Sequence, residues 1–446
     1  MLRSLLILSI IVPGMVAGLR DRFPALLLYV WFALFRPQEW LWIDVTALRL
    51  SLVLAGILIL PALMTGIWPN LSHAMSLGSL AFLMMGMLAQ FGAIDPATGF
   101  AWLDFQTRLT FICLLAVTLV NTRQRFVMLM AVVGCSLGFH AAKAGLASMM
   151  GGGVRFHDGL AGAFPDNNGY ALATVMVMPL VLATAQNMGS APAWMKWLRR
   201  GLYLWVPLCA LTVVSTFSRG GFLAMGVSVL VYVLLQRRRL AAFAGLAVVA
   251  MLAAAFVPVP EGYFDRLNTI QTYDEAGQED ESALGRLHFW RVAIIMAQNR
   301  PFGVGLRNYE AAYDTYDFSN GAFARGRSVH NSHFQVLAEL GFPGAVIWVS
   351  LFLFAFFLTL RVRSRSKRAE LSPEDRHFFF TASNALTVSM VGFLVGGSFV
   401  ASALNDVTWL TFALVAAVDR LSAEALAAKQ PMPAWTAARP AAGMVA

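Results

Sequence analysis

Charge is scarce in this sequence. Only 13% of the 446 residues are Asp, Glu, Lys or Arg, against 58% that are hydrophobic, whereas an ordinary soluble domain carries about 25% charged residues. So little charge cannot coat a soluble molecule of this size. That excludes a cytosolic globular enzyme, and the apolar excess excludes a disordered chain. Cysteine is nearly absent as well. Cys113, Cys135 and Cys209 lie in apolar stretches without metal-ligand spacing, which excludes a secreted disulfide scaffold and leaves three small hydrophobes. Lysine is rarer than arginine: Lys143, Lys196, Lys367 and Lys429 are the lysines among 33 basic residues. Genomic bias is the ordinary explanation, although arginine is also the better holder of phosphate through its planar fork of donors. The net charge of +9 suits the cytoplasmic loops of a membrane protein and gives no reason to expect a nucleic-acid partner.

What the sequence has is apolar length. A membrane-spanning helix needs about 20 mostly apolar residues. Such stretches fall near 47–66, 74–92, 107–121, 124–149, 167–186, 201–217, 219–235, 239–257, 333–360, 378–399 and 404–420, with shorter ones at 4–18 and 23–35. The first short stretch, from Arg3 to Val16-Ala17-Gly18, faintly resembles a signal peptide. Further spans follow it, so it reads as the first span. The expected fold is an all-α integral membrane protein, a polytopic bundle of about 12 transmembrane helices bathed in membrane lipids. Basic loops at 122–125, 187–200, 236–240 and 361–376 fall on one side when the spans are counted off, and the positive-inside bias makes that side cytoplasmic. The expected divisions are N-terminal spans over 1–257, a large periplasmic loop over 258–332, C-terminal spans over 333–420, and an Ala/Pro-rich cytoplasmic tail over 421–446.

The loop 258–332 is long enough to be functional. It holds ten acids and seven bases, and every base is arginine. Within it, Leu287, Trp290, Ile294 and Ala297 recur at helical spacing over 283–299, as in an amphipathic helix lying on the outer membrane surface. The stretch Gln271–Ser282, with five acids, reads as a solvated excursion.

Charges inside the spans are few. His140 and Lys143 lie toward the outer end of theirs, and the buried acids that a proton-coupled pump needs are missing. Polar residues gather instead at the outer rim, as suits an enzyme acting on a lipid-linked substrate. Four patches stand out, each with a plainer reading beside the functional one. Ser218-Arg219-Gly220-Gly221 opens a span, where free amides and Arg219 make an anion site; the plain reading is a tight turn whose arginine snorkels to headgroups. Gly285-Arg286 through Arg291, followed by Pro301-Phe302-Gly303-Val304-Gly305-Leu306-Arg307-Asn308-Tyr309, supplies a second phosphate candidate in Arg286. Its GxG is too short for a nucleotide fingerprint, and a loop re-entering the membrane is the better reading. Arg325-Gly326-Arg327-Ser328-Val329-His330-Asn331-Ser332-His333 places histidines where the loop meets the membrane. His330 could take a proton from a hydroxyl or simply cap a helix. His330 and His333 lack a third metal ligand nearby in sequence. Gly162 to Gly169, with Asp166, Asn167 and Asn168, enters a span with ordinary caps that could also hydrogen-bond sugar hydroxyls.

In order along 100–420, these pieces resemble the O-antigen ligase and polymerase superfamily of bacterial inner-membrane glycosyltransferases. They are the Gly-Phe…Asn-Asn entry, Ser-Arg-Gly-Gly, Gly-Arg…Trp, Pro-Phe-Gly-Val-Gly…Asn-Tyr and His-Asn…Glu-Leu-Gly. Phe35-Arg36-Pro37 after a Tyr/Trp-rich span is similar to the exosortase-associated O-glycosylation ligase branch. The resemblance implies a GT-C-like enzyme that needs no metal or other cofactor and inverts the anomeric centre at the periplasmic face. Its donor would be an undecaprenyl-diphosphate-linked glycan and its acceptor a hydroxyl of lipid A–core. It implies catalytic roles for Arg219, Arg286 and His330, with Arg291 the alternative to Arg286. Asn168, Arg307, Tyr309, Arg327, Asn331 and His333 are the expected substrate-binding residues. A polymerase or a protein O-oligosaccharyltransferase would use the same chemistry. A transporter or flippase of lipid-linked sugars is the reading from another class.

Overall fold

A computed structural model describes residues 2–41, 48–153, 156, 164, 166–189, 193–256 and 281–428. Its helices are α1 (Leu2–Arg20), α2 (Arg22–Phe35), α3 (Leu50–Met64), α4 (Ala74–Gln90), α5 (Pro96–Leu119), α6 (Arg123–Met150), α7 (Asn167–Asn187), α8 (Ala193–Ser215), α9 (Arg219–Leu235), α10 (Arg239–Phe256), α11 (Glu281–Asn299), α12 (Tyr309–Tyr316), α13 (Ser332–Arg365), α14 (Pro373–Gly396) and α15 (Asp406–Ala427). The described residues contain no β-strand. Side-chain caps start many of these helices: Asp21, Asp95, Thr122, Asp166, Ser218, Asn331, Ser372 and Asn405 each accept from a first-turn amide. Pro96 and Pro373 occupy first-turn positions where a missing N–H costs nothing.

Six helices among the described residues are long and apolar enough to cross a membrane: α1, α5, α6, α7, α13 and α14. Helices α2, α3, α4 and α9 are apolar but shorter. α15 carries Asp419, Arg420 and Glu424, which keep it less apolar than its position suggests. It also continues to Ala427, past the expected end of the last span at 420. The first part of the expected outer loop, 258–280, and the tail from 429 onward lie outside the described residues.

α7 and α14 form the centre, with buried residues on every side of α7. A helix buried all round must be apolar all round, which is why its sequence shows no amphipathic stripe. Small residues let backbones meet: a Cβ on Gly145 of α6 would sit 2.0 Å from the Leu208 carbonyl oxygen of α8. An aromatic cluster of Phe82, Trp348, Phe352, Phe393, Trp409 and Phe412 ties α4, α13, α14 and α15 together.

The four basic loops share one end of the bundle. Arg123 pairs with Asp375 at 3.2 Å, Arg363 donates to the Leu235 carbonyl at 2.7 Å, and His377 meets the Gln186 carbonyl at 3.0 Å. The opposite end carries α11, α12, the starts of α7, α9 and α13, and the α14–α15 turn.

Two expectations need correction. The stripe of Leu287, Trp290, Ile294 and Ala297, expected to lie on the membrane surface, is split: Leu287 and Ile294 are exposed, Trp290 is half-buried and Ala297 is buried. Phe289, Val292, Ala293 and Met296 are buried, packed with Tyr309, Tyr313, Val329 and Ala338, while Leu287 is 59% and Ile294 37% exposed. α11 has apolar residues on two faces, and the face bearing Phe289 meets the aromatic cluster of α12. The expected continuous span 333–360 is broken at Gly341, whose φ is +67°. The Pro301–Gly305 loop fills the break. Val304 and Gly305 amides donate to the Ala338 and Glu339 carbonyls at 3.0 and 3.1 Å, and the Phe342 amide donates to the Pro301 carbonyl at 3.0 Å. The GxG pair therefore serves close backbone docking: a Cβ on Gly303 would lie 2.2 Å from the Glu339 carbonyl oxygen.

Candidate active site

The α14–α15 turn, residues 397–403, organises the end opposite the basic loops. Ser332 donates its amide to the Gly397 carbonyl at 2.7 Å and its hydroxyl to the Val400 carbonyl at 2.7 Å. Asn331 donates to the Ser398 carbonyl at 3.1 Å while its Oδ1 accepts from the His333 and Phe334 amides at 2.8 and 3.1 Å. These bonds pin the start of α13, and with it His330, against the turn. Phe399 projects from the same turn and fills the space above Gly220, where a Cβ would meet it at 2.6 Å. The Arg286 guanidinium lies 5.8 Å from the Phe399 ring centroid. Phe399 thus touches the turn that carries Arg219 and the helix that carries Arg286.

His330 completes the group. It has φ +47°, a left-handed backbone that costs a residue with a side chain on the order of 1–3 kcal/mol and is typical of functional sites. His330 is exposed at the rim. Protein packed about its ring, then the Arg286 charge, lower its pKa below the ordinary 6.5, while Asp166 pulls the other way. A neutral imidazole at pH 7 is the form able to accept a proton. Asp166 caps α7, accepting from Gly169 at 2.8 Å, and the neighbouring Asn168 accepts from the Ser218 hydroxyl at 2.7 Å. The starts of α7 and α9 are therefore joined beside Arg219, which is exposed.

The other expected site residues separate. Arg291 lies across α11 from Arg286, 5.5 Å from the Phe318 ring centroid, so Arg286 is the arginine beside His330. Arg327 is exposed, 5.9 Å from the Phe289 ring centroid, and its charge also lowers the His330 pKa. Arg307 lies 4.7 Å from the Trp102 ring centroid and lines a cavity of about 140 Å³ with Tyr309, Gln335 and Glu339. Tyr309 is 2% exposed and its hydroxyl donates to the Phe289 carbonyl at 2.8 Å, so it holds α11 to α12. His333 is engaged through both ring nitrogens: Trp348 Nε1 donates to Nδ1 at 3.1 Å, and Nε2 faces the Leu394 carbonyl at 3.2 Å. That geometry fits the Nε2–H tautomer and gives His333 a structural task. Among the described residues no cluster of three His, Cys, Asp or Glu side chains could hold a metal ion.

Sequence reading passed over Phe399 and weighed Asp166 only within a capped helix start. It also missed the buried pair His288–Asp317, 2.8 Å apart. Burial raises the Asp317 pKa, yet bonds from Ser319, Gly321 and His288 outweigh it and bring it to about 2. That pair closes the α12–α13 connection over α11.

Residues 204–349 match the model of the O-antigen ligase family. That stretch is about a third of the chain and is similar to O-antigen ligases. The match includes Arg219, Arg286 and His330. Residues 2–190 match a family of unknown function, and this match includes Asp166 and Asn168. No curated protein matches the chain. One solved chain, from work titled "Structural coordination of polymerization and crosslinking by a peptidoglycan synthase complex", is 17% identical with a TM-score of 0.41, over 79% of this chain and 99% of its own.

Proposed function

We propose that the protein transfers a glycan from undecaprenyl diphosphate to a sugar hydroxyl of lipid A–core at the periplasmic face of the bacterial inner membrane, inverting the anomeric centre without a metal. The observation that carries this reading is that Phe399 meets Gly220, next to Arg219, and the Arg286 guanidinium, while Asn331, next to His330, bonds to the Ser398 carbonyl. Arg219, Arg286 and His330 all lie within the O-antigen ligase match. As the glycosidic bond breaks, negative charge grows on the diphosphate leaving group. Arg286 and Arg219 stabilise it by charge-assisted hydrogen bonds, in a site where removing one such donor typically costs about 10²–10³ in rate. His330 accepts the proton of the attacking hydroxyl, a step worth about 10²–10⁴-fold. Asn168, Arg327 and Asn331 sit around this group as supports for the sugars or for the turn that carries His330.

A polymerase or a protein O-oligosaccharyltransferase would run the same chemistry on a different acceptor. Reconstitution with undecaprenyl-diphosphate glycan and rough lipopolysaccharide in excess chelator separates these readings. A glycan ladder on the lipid supports the ligase, and a ladder on the donor makes the protein a polymerase. Movement of intact donor across the bilayer without transfer makes it a flippase.

A further inference from the structure

The end of the bundle away from His330 contains a chamber of about 670 Å³ between α7, α9, the α13–α14 turn and α14. Arg237, Lys367, Arg376 and His377 line it, and no carboxylate is among its lining residues. Asp375, next to Arg376 in sequence, pairs with Arg123 instead. The Arg237 and Arg363 guanidiniums lie 4.7 and 5.1 Å from the centroid of the Phe380 ring in the chamber wall. Positive-inside bias explains why this end is basic. It does not explain cations gathered around a half-open space with no acid among its described lining residues, an arrangement that attracts an anion.

A second cavity of about 380 Å³ shares Pro179, Tyr232 and Gln236 with the chamber. Its other walls include Val175, Met178, Leu182, Val229 and Leu246. Along α7 the chamber reaches Gln186 near the helix end, and the apolar slot reaches Val175, roughly 16 Å deeper at 1.5 Å per residue. Charge therefore lies at the rim and apolar walls run toward the middle of the bundle, the order of parts in a phospholipid. Ser228, 4% exposed, also lines the slot, and its hydroxyl has no hydrogen-bond partner.

We propose that these joined cavities form a binding site for an anionic membrane phospholipid, with its phosphate in the basic chamber and one acyl chain in the slot. The site is separate from the glycan-transfer centre, and no sugar substrate is needed to test it. The full chain in neutral detergent is titrated with phosphatidylglycerol or phosphatidylcholine, and retained lipid is read by native mass spectrometry. Phosphatidylglycerol is retained more tightly, and each cation removed by Arg237→Gln or Arg376→Gln lowers that preference about fivefold. Val229→Trp, which fills the slot, lowers phosphatidylglycerol retention with every cation in place. The ratio of the two lipids on one variant does not depend on the fraction that folds. Equal retention of the two lipids by the wild type, or unchanged preference in the Arg237→Gln/Arg376→Gln variant, overturns the proposal. So does displacement by excess inorganic phosphate that Val229→Trp leaves unaltered, since the site would then hold a free anion.

Discussion

Arginines lie over aromatic rings at both ends of the bundle, and at the basic end they also bond across helices. At the basic end, guanidiniums pin helices together. Arg365 bonds to Asp419 at 2.8 Å, Arg363 to Asn384 at 2.9 Å, and Arg420 to the Val117 and Val120 carbonyls, both at 2.9 Å. At the other end, Arg286, Arg291, Arg307 and Arg327 lie over the rings of Phe399, Phe318, Trp102 and Phe289. A carboxylate neutralises an arginine. An aromatic face orients the guanidinium plane and leaves N–H donors at its edge. The two histidines of the Val329–His333 segment divide in the same manner. His333 is locked between Trp348 and Leu394, whereas His330 stands at the rim among Arg286, Arg327 and Asp166.

The contrast is sharpened first by the histidines. His330→Ala should lower glycan transfer about 10²–10⁴-fold with little change in thermal midpoint, read by reconstituted transfer and by melting. His333→Ala should do the reverse, because it leaves the buried Trp348 indole N–H unpaired at a cost of about 1–3 kcal/mol. Equal transfer losses in the two variants would erase the distinction between them.

The arginines come next. Arg286→Ala should cost about 10²–10³ in transfer rate per folded molecule. Arg365→Ala, which leaves Asp419 without its 2.8 Å partner, should lower stability and leave the rate per folded molecule unchanged. A transfer defect in Arg365→Ala that persists after correction for folding would break the comparison.

The smallest effect is on pH. With the His330 pKa below 6.5, kcat/KM should be on its plateau at neutral pH and fall only as the pH drops through that lower value. Arg286→Gln removes a positive neighbour that lowers the pKa, so the acid limb of the residual activity should move to higher pH. Asp166→Asn removes a negative neighbour and should move it lower. Limbs that stay in place in both variants would detach His330 from these charges.

Much of the fold is readable from apolar length and caps. Asp166, Ser218 and Asn331 mark their helix starts because a short acceptor before an apolar run satisfies amides that lipid cannot. The common end of the basic loops is readable for the same kind of reason, since arginines stay where water is. The break at Gly341 is hinted at by Gly341-Phe342-Pro343-Gly344, but the apolar length on either side hides it, and its positive φ follows from the docked Pro301–Gly305 backbone. The second apolar face of α11, bearing Phe289, Val292 and Met296, is not picked out by helical periodicity, because its partners come from distant parts of the chain. Arg219, Arg286 and His330 are legible as separate patches. Phe399 is not, since its role depends on distant chain segments meeting above a glycine that has no side chain to compete for the space.

The central claim is that His330 and Arg286 serve one chemical step. The direct test is the transfer rate of His330→Ala, Arg286→Ala and the double variant, measured under the same reconstituted conditions with saturating donor. Groups acting as a unit are strongly non-additive. The account predicts a double variant about as slow as the slower single variant. Losses that multiply in full would contradict it, placing the two residues in independent roles.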